Sequence, residues 1–141
     1  MRIPRALYDE IVAHALADAP NECCGMIASR DGEAIAVHRA RNAAASPLRY
    51  EIEGKEQYRI QTAIEDAGFE LGAIYHSHTR SDPVPSQTDI NLAFMEDGDG
   101  KKLPCFPGTL YVIVGVKDAA DDVRAWRIDE QGVEQVELEV V

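Results

Sequence analysis

Apolar residues along this 141-residue chain repeat with different periods in different stretches, and each change of period marks a boundary between elements. Leu7, Ile11 and Ala15 recur every four residues, so residues 4–17 read as a helix, with Pro4 at its start and Pro20 beyond its end. Residues 24–30 and 33–39 are strand-like runs around Asp31-Gly32, a turn pair that favours a hairpin. Residues 42–47 are small and polar and read as a loop, followed by a short strand at 49–52. A helix over 55–67 carries Tyr58, Ala63, Ile64 and Ala67 as its apolar face and stops at Gly68. An apolar strand at 71–75 runs into His76-Ser77-His78, then a loop containing Pro83 and Pro85, then a helix over 86–95. Residues 96–108 are rich in Gly, Pro and charge and read as a mobile loop. Residues 109–116 are almost wholly apolar and β-branched, the pattern of a strand buried on both faces. A strand at 123–128 packs Trp126 onto the core. Val136, Leu138 and Val140 then alternate with Glu137 and Glu139 in a half-exposed strand. This order of helices and strands predicts an α/β sandwich around a mixed sheet.

Length and composition narrow the class. At 45% hydrophobic the chain suits one domain over residues 1–141 with a proper core, and two ordinary domains would not fit. No apolar run approaches the length of a bilayer span, and Met1 to Asp9 mixes charges with a proline, unlike a leader. The expectation is a soluble cytoplasmic protein with no membrane partner. Of three cysteines, Cys23 and Cys24 are sequence neighbours, an awkward disulfide, and the odd count argues for reduced thiols. A net charge of -11 repels a phosphate backbone, so nucleic acid is not an expected partner.

The candidate chemistry gathers in 71–89. Strand alternation puts His76 and His78 on one side and Ser77 on the other. Ser86 and Asp89, three apart at a helix start, share a face, and the intervening loop is long enough to fold that turn over the imidazoles. Two imidazoles and a carboxylate suit zinc, and three protein ligands leave a fourth tetrahedral position for water. Each piece also has a plainer reading. Ser86-x-x-Asp89 is close to a capping box, which is compatible with ligation, and His-x-His also suits a hydrogen-bonding pair. Glu22 sits at a helix-to-strand junction where it serves no amphipathic pattern, as a general base beside a metal or as a solvated loop acid. His14 and His38 read as structural. Asp97-Gly98-Asp99-Gly100 lacks the remaining ligands of a calcium loop.

Pro20-x-Glu22-x-Cys24-Gly25, then His76-Ser77-His78, seven residues, Ser86, two residues and Asp89 together resemble the JAMM, or MPN+, zinc metalloproteases. Their signature is a Glu upstream of H-[S/T]-H-x7-S-x2-D, and the order of elements resembles theirs over nearly the whole chain. Thr79 stands where many members have Pro. The resemblance implies a cytidine-deaminase-like sandwich with a mixed, partly curved sheet flanked by helices. It implies one zinc held by His76, His78 and Asp89, with Glu22 as general base and acid and Ser86 as donor to the oxyanion. It implies cleavage of amide or isopeptide bonds at the C-terminal Gly-Gly of ubiquitin-like or sulfur-carrier β-grasp partners. Its Mec-type bacterial branch, which releases cysteine from a sulfur carrier, is the best match, and deconjugation from lysine is the alternative. The substrate tail would add a strand to an exposed edge, with Asn42 and the loop to Pro47 either as tail contacts or as a plain connection, and 96–108 either as a gate or as a disordered surface excursion. Two rivals stand beside this reading: a cysteine hydrolase using Cys23 or Cys24, and a non-catalytic scaffold of the same fold.

Overall fold

Strand β1 (Arg2–Ile3) leads through Pro4 into helix α1 (Arg5–Asp18), whose Ile11 and Ala15 are fully buried, in a computed structural model that describes residues 1–118 and 121–141. Strands β2 (Cys24–Arg30) and β3 (Glu33–Ala40) form the expected hairpin, turning at Asp31 and Gly32 with φ of 51° and 78°. Helix α2 (Gly54–Asp66), strand β4 (Glu70–His78) and helix α3 (Gln87–Leu92) follow. Then come strands β5 (Phe94–Glu96), β6 (Lys102–Pro104), β7 (Leu110–Gly115), β8 (Asp122–Asp129), β9 (Gly132–Val136) and β10 (Glu139–Val140).

Eight strands form one mixed sheet in the order β10-β1-β3-β2-β4-β7-β8-β9. β9 and β10 sit at opposite ends of that order, yet Val136 and Glu139 are only three residues apart, a reach of about 10 Å. The sheet therefore curls until its two edges come near each other. Alternation along the strands divides the core between the two faces. Ala73, Tyr75, Val112 and Val114 pack with Ile11 and Ala15 of α1, whereas Ile74, Met26 and Tyr111 pack with Ile60 and Ile64 of α2.

Several expectations need correction. Tyr58 is 74% exposed, and Ile60 with Ile64 does the burying for α2. Residues 49–52 form no strand. The helix predicted over 86–95 stops at Leu92, and 96–108 is not a plain loop: β5 and β6 pair there as an antiparallel ribbon. Asp97 closes that ribbon by accepting N–H bonds from Asp99 and Lys101 on one carboxylate oxygen, while Gly100 takes a φ of 78°. The C-terminal strand divides because β10 leaves β9 to pair in parallel with β1. No helix among the described residues is long and apolar enough to cross a membrane.

Candidate metal centre

β4 is hydrogen-bonded to β2 on one side and to β7 on the other, so the backbone bearing both histidines is held from two directions. His76 and His78 point to the α2 side of the sheet. Tyr75, on the other face, accepts or donates a 2.7 Å hydrogen bond with His14, and His14 Nε2 lies 3.3 Å from Asp18, so that histidine belongs to a buried structural pair. The loop after His78 folds back because Gly115 leaves room: a Cβ there would lie 2.9 Å from Pro83 Cδ. The Trp126 indole N–H fixes the loop by donating to the Pro83 carbonyl at 3.0 Å. Thr79, the departure from the family pattern, donates to the Pro20 carbonyl at 3.0 Å and so ties this loop to the segment bearing Glu22.

The fold-back brings three side chains to one point. His76 Nε2 and His78 Nε2 are 3.2 Å apart, and Asp89 Oδ2 lies 3.1 Å from the first and 3.0 Å from the second. All three residues are at most 5% exposed. The tautomer of neutral His78 follows from its other nitrogen. The Asp82 carbonyl, 2.7 Å from Nδ1, can only accept, so Nδ1 carries the proton and in the neutral ring Nε2 offers a lone pair to the cluster. His76 is stacked on Tyr50, with ring centroids 4.3 Å apart and planes 22° from parallel.

Burial pushes His76 below the usual histidine range. Burial acts the same way on His78, but hydrogen bonds to Asp89 and to the Asp82 carbonyl outweigh it and raise the group. Asp89 is pushed up by burial and pulled down harder by the two imidazoles, which hold it well below the usual carboxylate range. One proton can satisfy only one side of this triangle. A cation satisfies all three, and a tetrahedral site with bonds of about 2.0–2.1 Å spaces its donors about 3.3 Å apart. The donor set and its spacing therefore fit zinc, with His76, His78 and Asp89 as the residues to hold it.

Glu22 is 4% exposed, and its Oε1 has no hydrogen-bond partner among the described residues. Burial raises its pKa to about 7; the charge of His78 lowers it and that of Asp89 raises it, so the carboxyl shares the electrostatic field of the cluster. Ser86 caps α3 by accepting the Asp89 N–H on Oγ at 3.0 Å, which leaves its own O–H proton free to donate. Of the five residues singled out from the sequence, His76, His78 and Asp89 meet at one end of β4, Ser86 is bonded to Asp89, and Glu22 lies within the electrostatic reach of His78 and Asp89. Sequence reasoning missed Tyr50 and Asp82, which carry no local signal because stacking and carbonyl direction depend on the fold. Asn42, expected to touch a substrate tail, instead has its side-chain amide taken up by internal bonds. The cysteine hydrolase finds no support: Cys23 and Cys24 are fully buried, and burial pushes both thiols up to about 12.

Comparison with known proteins places the chain in a family. The family model described as prokaryotic homologs of the JAB domain matches residues 4–129. The chain is 33% identical over 138 residues to the CysO-cysteine peptidase of Mycobacterium tuberculosis, covering 96% of this chain and 87% of that protein. It is 37% identical over 130 residues to the desampylase of Haloferax volcanii, covering 86% of this chain and 84% of the relative. A crystal structure of a JAB1/MPN domain protein from Archaeoglobus fulgidus superposes over the whole chain and 99% of its own length with a TM-score of 0.59 at 20% identity, a likeness of fold. Matched over most of its length by that model and by relatives named a peptidase and a desampylase, this chain belongs to the prokaryotic JAB-domain family of hydrolases.

Proposed function

We propose that this chain acts, as one domain over residues 1–141, as a zinc-dependent peptidase. Its substrate is the amide bond after the C-terminal Gly-Gly of a ubiquitin-like or sulfur-carrier β-grasp protein. The observation that carries the reading is the triangle of donor atoms 3.0–3.2 Å apart, with the buried carboxyl of Glu22, whose Oε1 has no partner among the described residues, in the same field.

Zinc held by His76, His78 and Asp89 supplies polarisation of the scissile carbonyl and a more acidic water. Glu22 takes a proton from the attacking water as its oxygen bonds to the carbonyl carbon. The Ser86 O–H donates to the carbonyl oxygen as negative charge develops there. When the C–N bond breaks, Glu22 returns the proton to the departing amine, leaving a glycine carboxylate and a free amine. A carboxyl with a pKa near 7 is suited to both transfers at neutral pH.

The substrate class rests on the family resemblance and on the relatives. One is named for a CysO-cysteine adduct and matches 96% of this chain, which favours cysteine as the leaving group. The second reading, deconjugation from lysine, is favoured by the likeness to a desampylase. Tyr50, Ile74, Leu92, Phe106 and Tyr111 line an apolar cleft beside His76 that suits an extended tail. Incubating the zinc-loaded chain with Gly-Gly-ended carriers bearing cysteine, a peptide or a lysine-linked adduct tests the reading. Release of cysteine is the expected result. Cleavage of the lysine adduct alone selects the second reading, and cleavage of none, with zinc bound, rejects both.

A further inference from the structure

We infer that Asn42 is a positioning residue, acting through Glu22 and through Tyr50, and this rests on the peptidase reading of the site. Among the described residues nothing hydrogen-bonds Glu22 Oε1, so the location of this carboxyl depends largely on how its backbone is held. That backbone is clamped twice by the loop that follows β3. The Glu22 N–H donates to the Ser46 carbonyl at 2.9 Å, and Asn42 Nδ2 donates to the Glu22 carbonyl at 3.0 Å. The same Nδ2 donates to the Arg49 carbonyl at 3.0 Å, and Oδ1 accepts from the Glu51 N–H at 3.0 Å. Arg49 and Glu51 flank Tyr50, the ring stacked on His76. A fourth bond, from the Ala44 N–H to Oδ1 at 3.0 Å, sets the bend of the loop itself.

Asn42 is 8% exposed, and both donors and both acceptor lone pairs of its side chain are in use. One amide therefore locks together two strangers in sequence, the base that moves the proton and the ring that backs a metal-binding imidazole. Residues 49–52 belong to no strand, and beside the backbone bond from the Ala43 N–H to the Glu51 carbonyl at 2.8 Å it is the Asn42 side chain that holds the residues on either side of Tyr50. Aspartate keeps both acceptors but loses both donors, and no other residue type offers two of each at this reach. A base displaced by a fraction of an ångström loses rate without losing substrate affinity.

The test is a double-mutant cycle on the zinc-loaded protein, with zinc content, thermal midpoint, kcat and KM measured for each variant. Asn42→Ala is expected to lower kcat by about 10–100-fold with KM within about threefold and zinc retained. In a Glu22→Gln background the same change is expected to cost less than about threefold, because the displaced base is already gone. Should Asn42→Ala not fold, Asn42→Asp, which keeps the two acceptors, takes its place in the same cycle. Equal losses in both backgrounds, or a kcat equal to that of the parent while Glu22→Gln is impaired, overturn the inference alone. Glu22→Gln turning over as fast as the parent overturns the peptidase reading of Glu22 and the inference with it.

Discussion

Ser86 and Asp89 hydrogen-bond each other in both directions: the Asp89 N–H donates to Ser86 Oγ at 3.0 Å, and the Ser86 N–H donates to Asp89 Oδ2 at 2.9 Å. That Oδ2 is also the oxygen facing both imidazoles, so a helix cap and a ligand position are the same structure. Ser86→Ala should lower stability by about 1 kcal/mol through the cap and kcat by about 100-fold through the oxyanion donor. Ser86→Gly should nearly restore the cap, at a cost of a few tenths of a kcal/mol, without restoring kcat. Parallel recovery of both in the glycine variant would reduce Ser86 to a cap.

Glu22→Gln and His78→Ala should separate chemistry from metal binding. The first is expected to keep stoichiometric zinc and lose turnover by orders of magnitude, and the second to lose both. Zinc should also raise the thermal midpoint of the parent and of Glu22→Gln, because a ligand that binds only the folded state stabilises it. It should leave His78→Ala unmoved. Metal analysis beside thermal melts reads all of these outcomes. A Gln variant without zinc would move Glu22 into the ligand set.

The raised pKa of Glu22 has two consequences of opposite kind. As a base it must be ionised, so kcat/KM should fall as pH drops below about 7, and a cation on the three donors moves that limb lower. In the zinc-free protein the folded pKa of about 7 exceeds the ordinary 4.5, so Glu22 contributes stability below pH 4.5 that is lost as pH rises through 7. The shift corresponds to roughly 3 kcal/mol. Zinc-free Glu22→Gln should therefore be more stable than the parent at pH 8 by an amount of that order, and no more stable at pH 4. Denaturation curves at the two pH values measure it.

Gly25 pairs with Tyr75 across β2 and β4, and a Cβ on it would lie 2.5 Å from both the Tyr75 ring and the His38 carbonyl. Gly25→Ala should destabilise the fold by roughly 1–3 kcal/mol. Because Tyr75 neighbours His76, it should also weaken zinc binding, which a competition assay against a chelator detects. Unchanged stability would mean that β2 and β4 can part without cost.

Much of the fold was legible because it follows local periods. The helix after Pro4, the hairpin at Asp31-Gly32 and the strand ending in His76 and His78 each carry their own apolar repeat and turn residues. The ribbon of β5 and β6 was not legible, because Asp97 organises it with side-chain bonds that composition records only as polarity. Nor was the burying face of α2, since Tyr58 and Ile60 are both apolar and only packing against β4 decides which turns inward.

The sequence by itself determined which atoms are available: two imidazoles one strand period apart, a carboxylate and a hydroxyl one helical turn apart, and an acid at a junction. Tertiary structure alone decided that the two imidazoles and the carboxylate of Asp89 meet, through the fold-back of the loop at Pro83 over Gly115. It decided the supports as well, Tyr50 against His76, the Asp82 carbonyl on His78 and Asn42 under Glu22. Such contacts join residues distant in the chain, and periodicity, being local, carries no record of them.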